Sequence, residues 1–274
     1  MADYKLGIIG FGNMGKGLLK GILDSVFLEE SQIAVYDVSI DTREYIKNNY
    51  SLFLAKGNAD VVKSSEYILV AVKPQNLNVV LDEIKVSFSS ENNVIISIVA
   101  GVPTSYIEEK LNKEASVIRI MPNSPALFKK GISVVSKGRN VSEDNLKFTL
   151  DLIKSVGDYV VIDENYQNAA TALSGSGPAY FFLFCKYLIE SGIKNGLDSD
   201  TAKKLVVSTM IGSGEMLRRL EIDIDKLIKM VASPGGTTEK ALEEFSQGKV
   251  GEIILRAVDC AVSRAYQLQD FLEK

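Results

Sequence analysis

The amino-acid sequence predicts an α/β fold: an N-terminal doubly wound, mostly parallel sheet followed by an all-α domain. Three observations carry this. Short, nearly continuous apolar and β-branched runs alternate with polar helical stretches through the first half, the pattern of a parallel sheet covered on both faces. A GxGxxG motif follows the first of these runs, in GIIGFGNMG at 7–15. Strand-like runs then cease near residue 163, and helical periodicity continues to residue 274. The predicted domains are therefore residues 1–163 and 164–274, with no linker between them.

The strands are read from LGIIG (6–10), IAVYD (33–37), YILVAV (67–72), VIISIV (94–99) and SVIRIMP (116–122), with GISVVSK (131–137) and DYVVID (158–163) finishing the sheet. Stretches such as LDEIKVSF and SYIEEKLNK lie between them as helices, and a first helix opens at 13 and runs to about 23. In the second half a long apolar helix starts near Pro178, another spans about 200–220, and a last one spans 251–271.

Composition narrows the function. Of 274 residues, 46% are hydrophobic and 24% charged, as in an ordinary globular protein. A net charge of −4 provides no basic footprint for nucleic acid. Cys185 and Cys260 sit in apolar helical patterns, which reads as reduced thiols in a reducing compartment. MADYKLGIIG shows neither a basic segment nor a small-residue cleavage site, so no secretory signal is expected. The most apolar run, AYFFLFCKYLI, is interrupted by Lys186 and falls short of the ~20 residues a bilayer span needs. A cytoplasmic protein without membrane contact is expected. The chain has no histidine, which excludes imidazole acid–base chemistry, and two cysteines leave no closed zinc site.

In the GxGxxG motif, Gly10 permits the tight turn, Gly12 lets the backbone approach a pyrophosphate, and Gly15 lets helix and strand pack closely. The helix start adds amides and the positive end of its dipole. This is the fingerprint of a Rossmann-type dinucleotide-binding domain. Asp37 ends the next strand, where a carboxylate accepts from a ribose 2′-hydroxyl and favours NAD; Ser39 and Arg43, close behind, are placed to receive a 2′-phosphate instead. Both cofactors stay open.

Four further stretches carry turn chemistry. In VAVKPQN (70–76), Lys73 and Pro74 end a strand at the carboxyl edge of the sheet, where ligands of open α/β sheets bind, and Gln75 or Asn76 caps the next helix. In IRIMPNSPALFKKG (118–131), Pro122 and Pro125 bracket Asn123 and Ser124 in a rigid loop at the same edge. In ALSGSGPAYFF (172–182), small residues precede Pro178 at a helix start. VASPGGTTEKAL (231–242) breaks a helical pattern: it is either a turn with Ser and Thr capping the next helix, or a small anion site of bare amides and hydroxyls.

GFGNMG, VKPQ, MPNSP, SGSGPAYF and SPGGTT, in this order over essentially the whole chain, resemble the pyrroline-5-carboxylate reductases. The resemblance implies a Rossmann domain followed by a helical dimerisation domain, dimers often assembled into decamers, and reduction of the cyclic imine 1-pyrroline-5-carboxylate to L-proline by NADPH or NADH. It implies cofactor contacts at Gly10, Phe11, Gly12, Asn13, Met14 and Gly15, at Asp37 and Ser39, at Asn58 near the adenine ribose, and at Ala71, Val72, Lys73 and Pro74 on the nicotinamide side. It places the substrate's carboxylate and ring nitrogen at Ser233, Gly235, Gly236, Thr237 and Thr238. Thr238 matches the hydroxyl near the imine nitrogen, and Glu221 matches an acidic position near that site.

The chemistry agrees with a chain lacking histidine. A protonated imine already attracts hydride, so no strong protein acid is obligatory, and positioning supplies most of the rate. The almost wholly apolar helix after Pro178 needs more cover than a small helical domain provides. It and the last helix are therefore expected to bury against a second subunit, the substrate loop facing the other chain's cofactor domain. The alternatives weighed are a related imine reductase, a β-hydroxyacid dehydrogenase and a cofactor-binding regulator without turnover. The hydroxyacid enzymes need a helix lysine with asparagine one turn later, and here Lys186 is followed by Glu190.

Overall fold

The computed structural model describes residues 2–270, without the side chains of Leu268 and Asp270. The chain divides into two compact units, one of residues up to 176 together with the end of the last helix from 262, the other of residues 177–261.

The first unit is built on an eight-stranded sheet: β1 (Tyr4–Ile9), β2 (Ile33–Tyr36), β3 (Phe53–Leu54), β4 (Ser65–Val70), β5 (Val94–Ser97), β6 (Ser116–Met121), β7 (Gly131–Lys137) and β8 (Gly157–Val161). Their spatial order is β3-β2-β1-β4-β5-β6-β7-β8. Every pairing is parallel except β6 with β7. The seven strands expected from the sequence are present. The two-residue β3 is an addition, too short for any periodicity to reveal.

Helices α1 (Asn13–Asp24), α2 (Ile40–Asn49), α3 (Asn58–Ser64), α4 (Leu77–Ile84), α5 (Thr104–Leu111) and α6 (Glu143–Lys154) connect the strands. Side chains alternate across each strand, so neighbours in sequence enter opposite cores. Ile8, Leu69, Ile96 and Ile118 join Leu18, Leu19 and Ile22 of α1 and Leu152 of α6 on one face. Ile9, Ile68, Ile95 and Val117 join Val61 of α3, Leu81 of α4 and Ile107 of α5 on the other. That two-sided burial is why the runs read as continuous apolar segments.

The chain then turns from strand to helix through α7 (Gln167–Ala170) and one π-helical turn, Thr171–Gly175. The second unit holds α8 (Gly177–Lys194), α9 (Ser199–Arg219), α10 (Ile224–Val231), α11 (Thr237–Gln247) and the start of α12 (Val250–Asp270). The sequence boundary at 163/164 follows the change from strand to helix. The compact units part at Ser176, because Gln167 and Asn168 are buried and Gln167 donates to Val134 O and to Ser136 Oγ of β7. Asn168 also donates to Gln269 Oε1 at 3.0 Å, which holds the end of α12 in the first unit. The expected end of the last helix, Phe271, lies outside the described residues.

Ser174 and Gly175, read from the sequence as small residues preceding a helix start, are themselves helical. They belong to the π turn, closed by the Ser176 N–H donating to Thr171 O at 3.0 Å. Proline has no N–H for the carbonyl four residues back, so Pro178 leaves Ser174 O without a helical partner. Asn123 Nδ2 donates to that oxygen at 3.1 Å.

Candidate active site

In the strand order, β1 and β4 lie side by side although β2 and β3 intervene in sequence. This is the topological switch point, where open α/β sheets bind ligands beyond the carboxyl ends of their strands. A cleft of about 670 Å³ opens there. It is lined by Gly10, Phe11, Gly12, Asp37, Ser39, Asn58, Ala71, Val72 and Lys73 of the predicted set, and by Tyr36, Thr42, Asn76, Val79 and Glu83. Asn13, Met14, Gly15 and Pro74 are not part of the lining. The first three form the opening of α1, and Pro74 starts a 3₁₀ turn, Pro74–Asn76.

The glycine turn is built for close approach. Gly10 has φ +92° and donates its N–H to Tyr36 O at 2.9 Å; a β-carbon there would lie 2.8 Å from Ala71 O. One on Gly15 would lie 2.7 Å from Gly10 O, whereas one on Gly12 would meet nothing within 4 Å. Gly12 is the N-cap of α1 and no side chain caps that helix. Its first amides are left to a ligand, which suits a dinucleotide pyrophosphate.

Asp37 is held in place and is not a freely solvated strand-end carboxylate. Its Oδ2 accepts from Phe11 N–H at 2.6 Å and its Oδ1 from Ser39 N–H at 2.9 Å. The Ser39 hydroxyl caps α2 by accepting from Thr42 N–H at 3.3 Å. Arg43 donates from Nη1 to the main-chain oxygens of Asp37 and Val38, both at 2.8 Å. Asn58 donates from Nδ2 to Glu83 Oε2 at 2.7 Å. Glu83 escaped the sequence reading because it lies inside α4 in an ordinary amphipathic pattern. Asn76 occupies the N-cap of α4, as expected, but makes no side-chain capping bond.

The MPNSP loop is held in place by Asn123. Asn123 is buried, its Oδ1 accepting from Ile132 N–H at 3.0 Å while its amide serves Ser174. Arg119 of β6 is also buried; burial pushes its guanidinium pKa down and Glu164, at 3.2 Å, pushes it back up. Glu164 also accepts from Thr104 N–H at 2.8 Å and from Thr104 Oγ1 at 2.6 Å.

The SPGGTT loop belongs to the second unit. Gly235 has φ +71°, a conformation L side chains seldom adopt, and donates its N–H to Glu239 Oε2 at 2.7 Å. The Gly236 N–H donates to Ser233 O at 3.0 Å. Asp198 and Asp223 cap α9 and α10 through their side chains. Here the Ser/Thr cap of the plain-turn alternative is absent: Gly236 is the N-cap of α11, and no side chain caps it. Thr237 and Thr238 are the first two helical residues, so their hydroxyls lie beyond the capping position. The loop combines uncapped amides, a positive helix end and hydroxyls at Ser233, Thr237 and Thr238, with Thr238 half-buried. Glu221 is exposed in the connection between α9 and α10. Lys186 is an exposed helix-surface residue whose Nζ lies 3.8 Å from Glu190 Oε1.

Comparison with known proteins places these features in a family. Residues 164–268 match the model for pyrroline-5-carboxylate reductase dimerisation, and residues 5–101 match that of the coenzyme F420-dependent NADP oxidoreductases. The chain is 33% identical to the pyrroline-5-carboxylate reductase of Mycobacterium tuberculosis over 97% of both chains. It is 32% identical to that of Pseudomonas aeruginosa over 99% of both. Its structure is similar to that of the Plasmodium falciparum enzyme with NADP bound, with a TM-score of 0.88 at 31% identity, covering 98% of this chain and 99% of the other.

Proposed function

The chain belongs to the pyrroline-5-carboxylate reductase family, and on that premise we propose how its own residues perform the reaction: reduction of 1-pyrroline-5-carboxylate to L-proline, the closing step of proline biosynthesis. The observation that carries the site assignment is the uncapped start of α11 at the SPGGTT loop.

Gly10, Phe11, Gly12 and the opening of α1, Asn13, Met14 and Gly15, would hold the pyrophosphate of a pyridine nucleotide. Asp37, Ser39 and Asn58 would hold the adenosine ribose, and Ala71, Val72, Lys73 and Pro74 would border the nicotinamide. When bound, the reduced nicotinamide supplies the hydride. Ser233 and Thr237 would bind the imine's carboxylate through their hydroxyls and the uncapped first amides of α11, while Gly235 and Gly236, whose own N–H groups serve Glu239 and Ser233, would shape the turn for close approach and fix the ring. Thr238 would donate to or accept from the ring nitrogen and relay a proton from water; its hydroxyl is too weak an acid to act alone. Glu221 would supply a negative charge that favours the protonated imine. No imidazole is needed, because the cationic imine is already the electrophile.

The protein is a homo-oligomer. Its family model is a dimerisation domain, and α8 leaves Phe181 63% and Phe182 64% exposed in the single chain, more apolar surface than a lone soluble subunit usually shows. A decamer built from dimers is the assembly proposed, and the cytoplasm the proposed compartment. No described helix is long and apolar enough to cross a membrane.

The test is oxidation of NADH and of NADPH, followed by nicotinamide absorbance, with racemic pyrroline-5-carboxylate added last. Imine-dependent oxidation yielding L-proline supports the assignment. Binding of cofactor without imine-dependent oxidation would overturn it.

A further inference from the structure

We propose that the nucleotide cleft selects NADH over NADPH, and that Asp37 is the residue that makes the selection. This rests on the dinucleotide reading of the cleft and goes one step beyond it. By residue type alone the strand-end region is divided: Asp37 suits a ribose 2′-hydroxyl, while Ser39 and Arg43 suit a 2′-phosphate. The side-chain arrangement removes the division.

Asp37 is fixed. Its two oxygens accept from the amides of Phe11 at 2.6 Å and Ser39 at 2.9 Å. Turning it away would strip the acceptor from an amide of the glycine turn itself. Each carboxylate oxygen still has a lone pair free, so the group can accept further hydrogen bonds but cannot donate any. A ribose diol brings the donors that such a group needs. A 2′-phosphate brings acceptors and negative charge instead.

Arg43 is anchored at the turn through one nitrogen, outside the cleft lining. Nη1 is shared between the main-chain oxygens of Asp37 and Val38, its guanidinium carbon lies 5.6 Å from the centre of the Tyr36 ring, and the residue does not line the cleft. Asn58 is more permissive than Asp37. One N–H of its amide donates to Glu83 Oε2 at 2.7 Å, which leaves its oxygen as an acceptor and its second N–H as a donor. The charged residues lining the cleft are Asp37, Glu83 and Lys73, two negative against one positive. The fixed acceptor at Asp37 and a net negative lining favour hydroxyls and oppose a phosphate.

The direct test uses fragments that lack the nicotinamide, so binding is read apart from turnover. Calorimetry would give dissociation constants for ADP-ribose and 2′-phospho-ADP-ribose with the wild-type chain, Asp37→Asn and Arg43→Ala. ADP-ribose is expected to bind about tenfold or more tightly to the wild type, the scale of one like-charge contact a few ångströms apart at a protein surface. Asp37→Asn, which keeps an acceptor for the Phe11 amide but loses the charge, should shrink that ratio toward one. Arg43→Ala should leave ADP-ribose favoured. Equal binding, or tighter binding of 2′-phospho-ADP-ribose that Arg43→Ala abolishes, would overturn the selectivity and leave the cleft assignment standing. Failure of both fragments to bind the folded wild-type chain would overturn the cleft assignment as well. The kcat/KM values for NADH and NADPH with pyrroline-5-carboxylate should rank in the same order as the fragments.

Discussion

The side-chain amide of Asn123 donates at 3.1 Å to the main-chain oxygen of Ser174, the carbonyl that Pro178 has no N–H to serve. One buried side chain thereby supports both the hairpin from β6 to β7, through Ile132 N–H, and the π turn that leads to α8. Asn123→Ala leaves two main-chain groups without partners. At ~1–3 kcal/mol for each buried group left unsatisfied, denaturant titration should show a loss of that order. A loss below about 0.5 kcal/mol, the level of an ordinary surface substitution, would mean that water replaces Asn123 at both ends.

Arg119 and Glu164 carry unequal costs. Arg119 is 2% exposed and the Glu164 side chain 24%. Glu164→Ala strands a buried cation and the Thr104 amide, whereas Arg119→Met leaves a carboxylate that still reaches solvent and keeps Thr104. Removing one partner of a buried pair costs up to ~3–5 kcal/mol, so Glu164→Ala should approach that range and Arg119→Met should cost distinctly less. Equal losses would contradict this asymmetry.

Gly12 and Gly15 should respond oppositely to alanine. A β-carbon on Gly12 meets nothing within 4 Å, whereas one on Gly15 lies 2.7 Å from the main-chain oxygen of Gly10. Gly12→Ala should keep the melting temperature and weaken dinucleotide binding, because the added methyl occupies the ligand's approach. Gly15→Ala should lower stability by ~1–3 kcal/mol, as overpacking does. Thermal melts and dinucleotide titration of the two variants separate the roles.

Burial pushes the Tyr67 phenol up to about 12 from its ordinary 10.0, with smaller contributions from Glu66 and Asp144. The folded value lies above the unfolded one, so this stabilising contribution is complete below pH 10 and is lost as pH rises from 10 towards 12. The shift corresponds to roughly 2–3 kcal/mol across that window. Tyr67→Phe, which loses the bond to Asn145 Oδ1, should be less stable at pH 8 and show a flatter decline above pH 10. Parallel slopes for the two proteins in alkaline denaturation would contradict this.

Much of the architecture was legible because burial on both sheet faces writes itself as continuous apolar runs, as in Ile68–Leu69 and Ile95–Ile96. The glycine turn was legible because Gly10 and Gly15 answer to steric demands that no other residue meets. Three features were not. The π turn at Thr171–Gly175 depends on Asn123, some fifty residues earlier in the chain, and no local pattern reports it. Glu83 faces Asn58 from a helix whose spacing looks like any solvated face. The SPGGTT hydroxyls suited either caps or an anion site, and only the backbone shows that α11 starts after Gly236 and leaves its first amides uncapped.

The most direct test of the site at α11 is the kinetics of Thr238→Ala with pyrroline-5-carboxylate. If Thr238 orients the ring nitrogen and relays its proton, kcat should fall by ~10²-fold or more, the usual range for a lost acid–base partner. An unchanged kcat with only a raised KM would contradict that role and leave Thr238 as a binding residue.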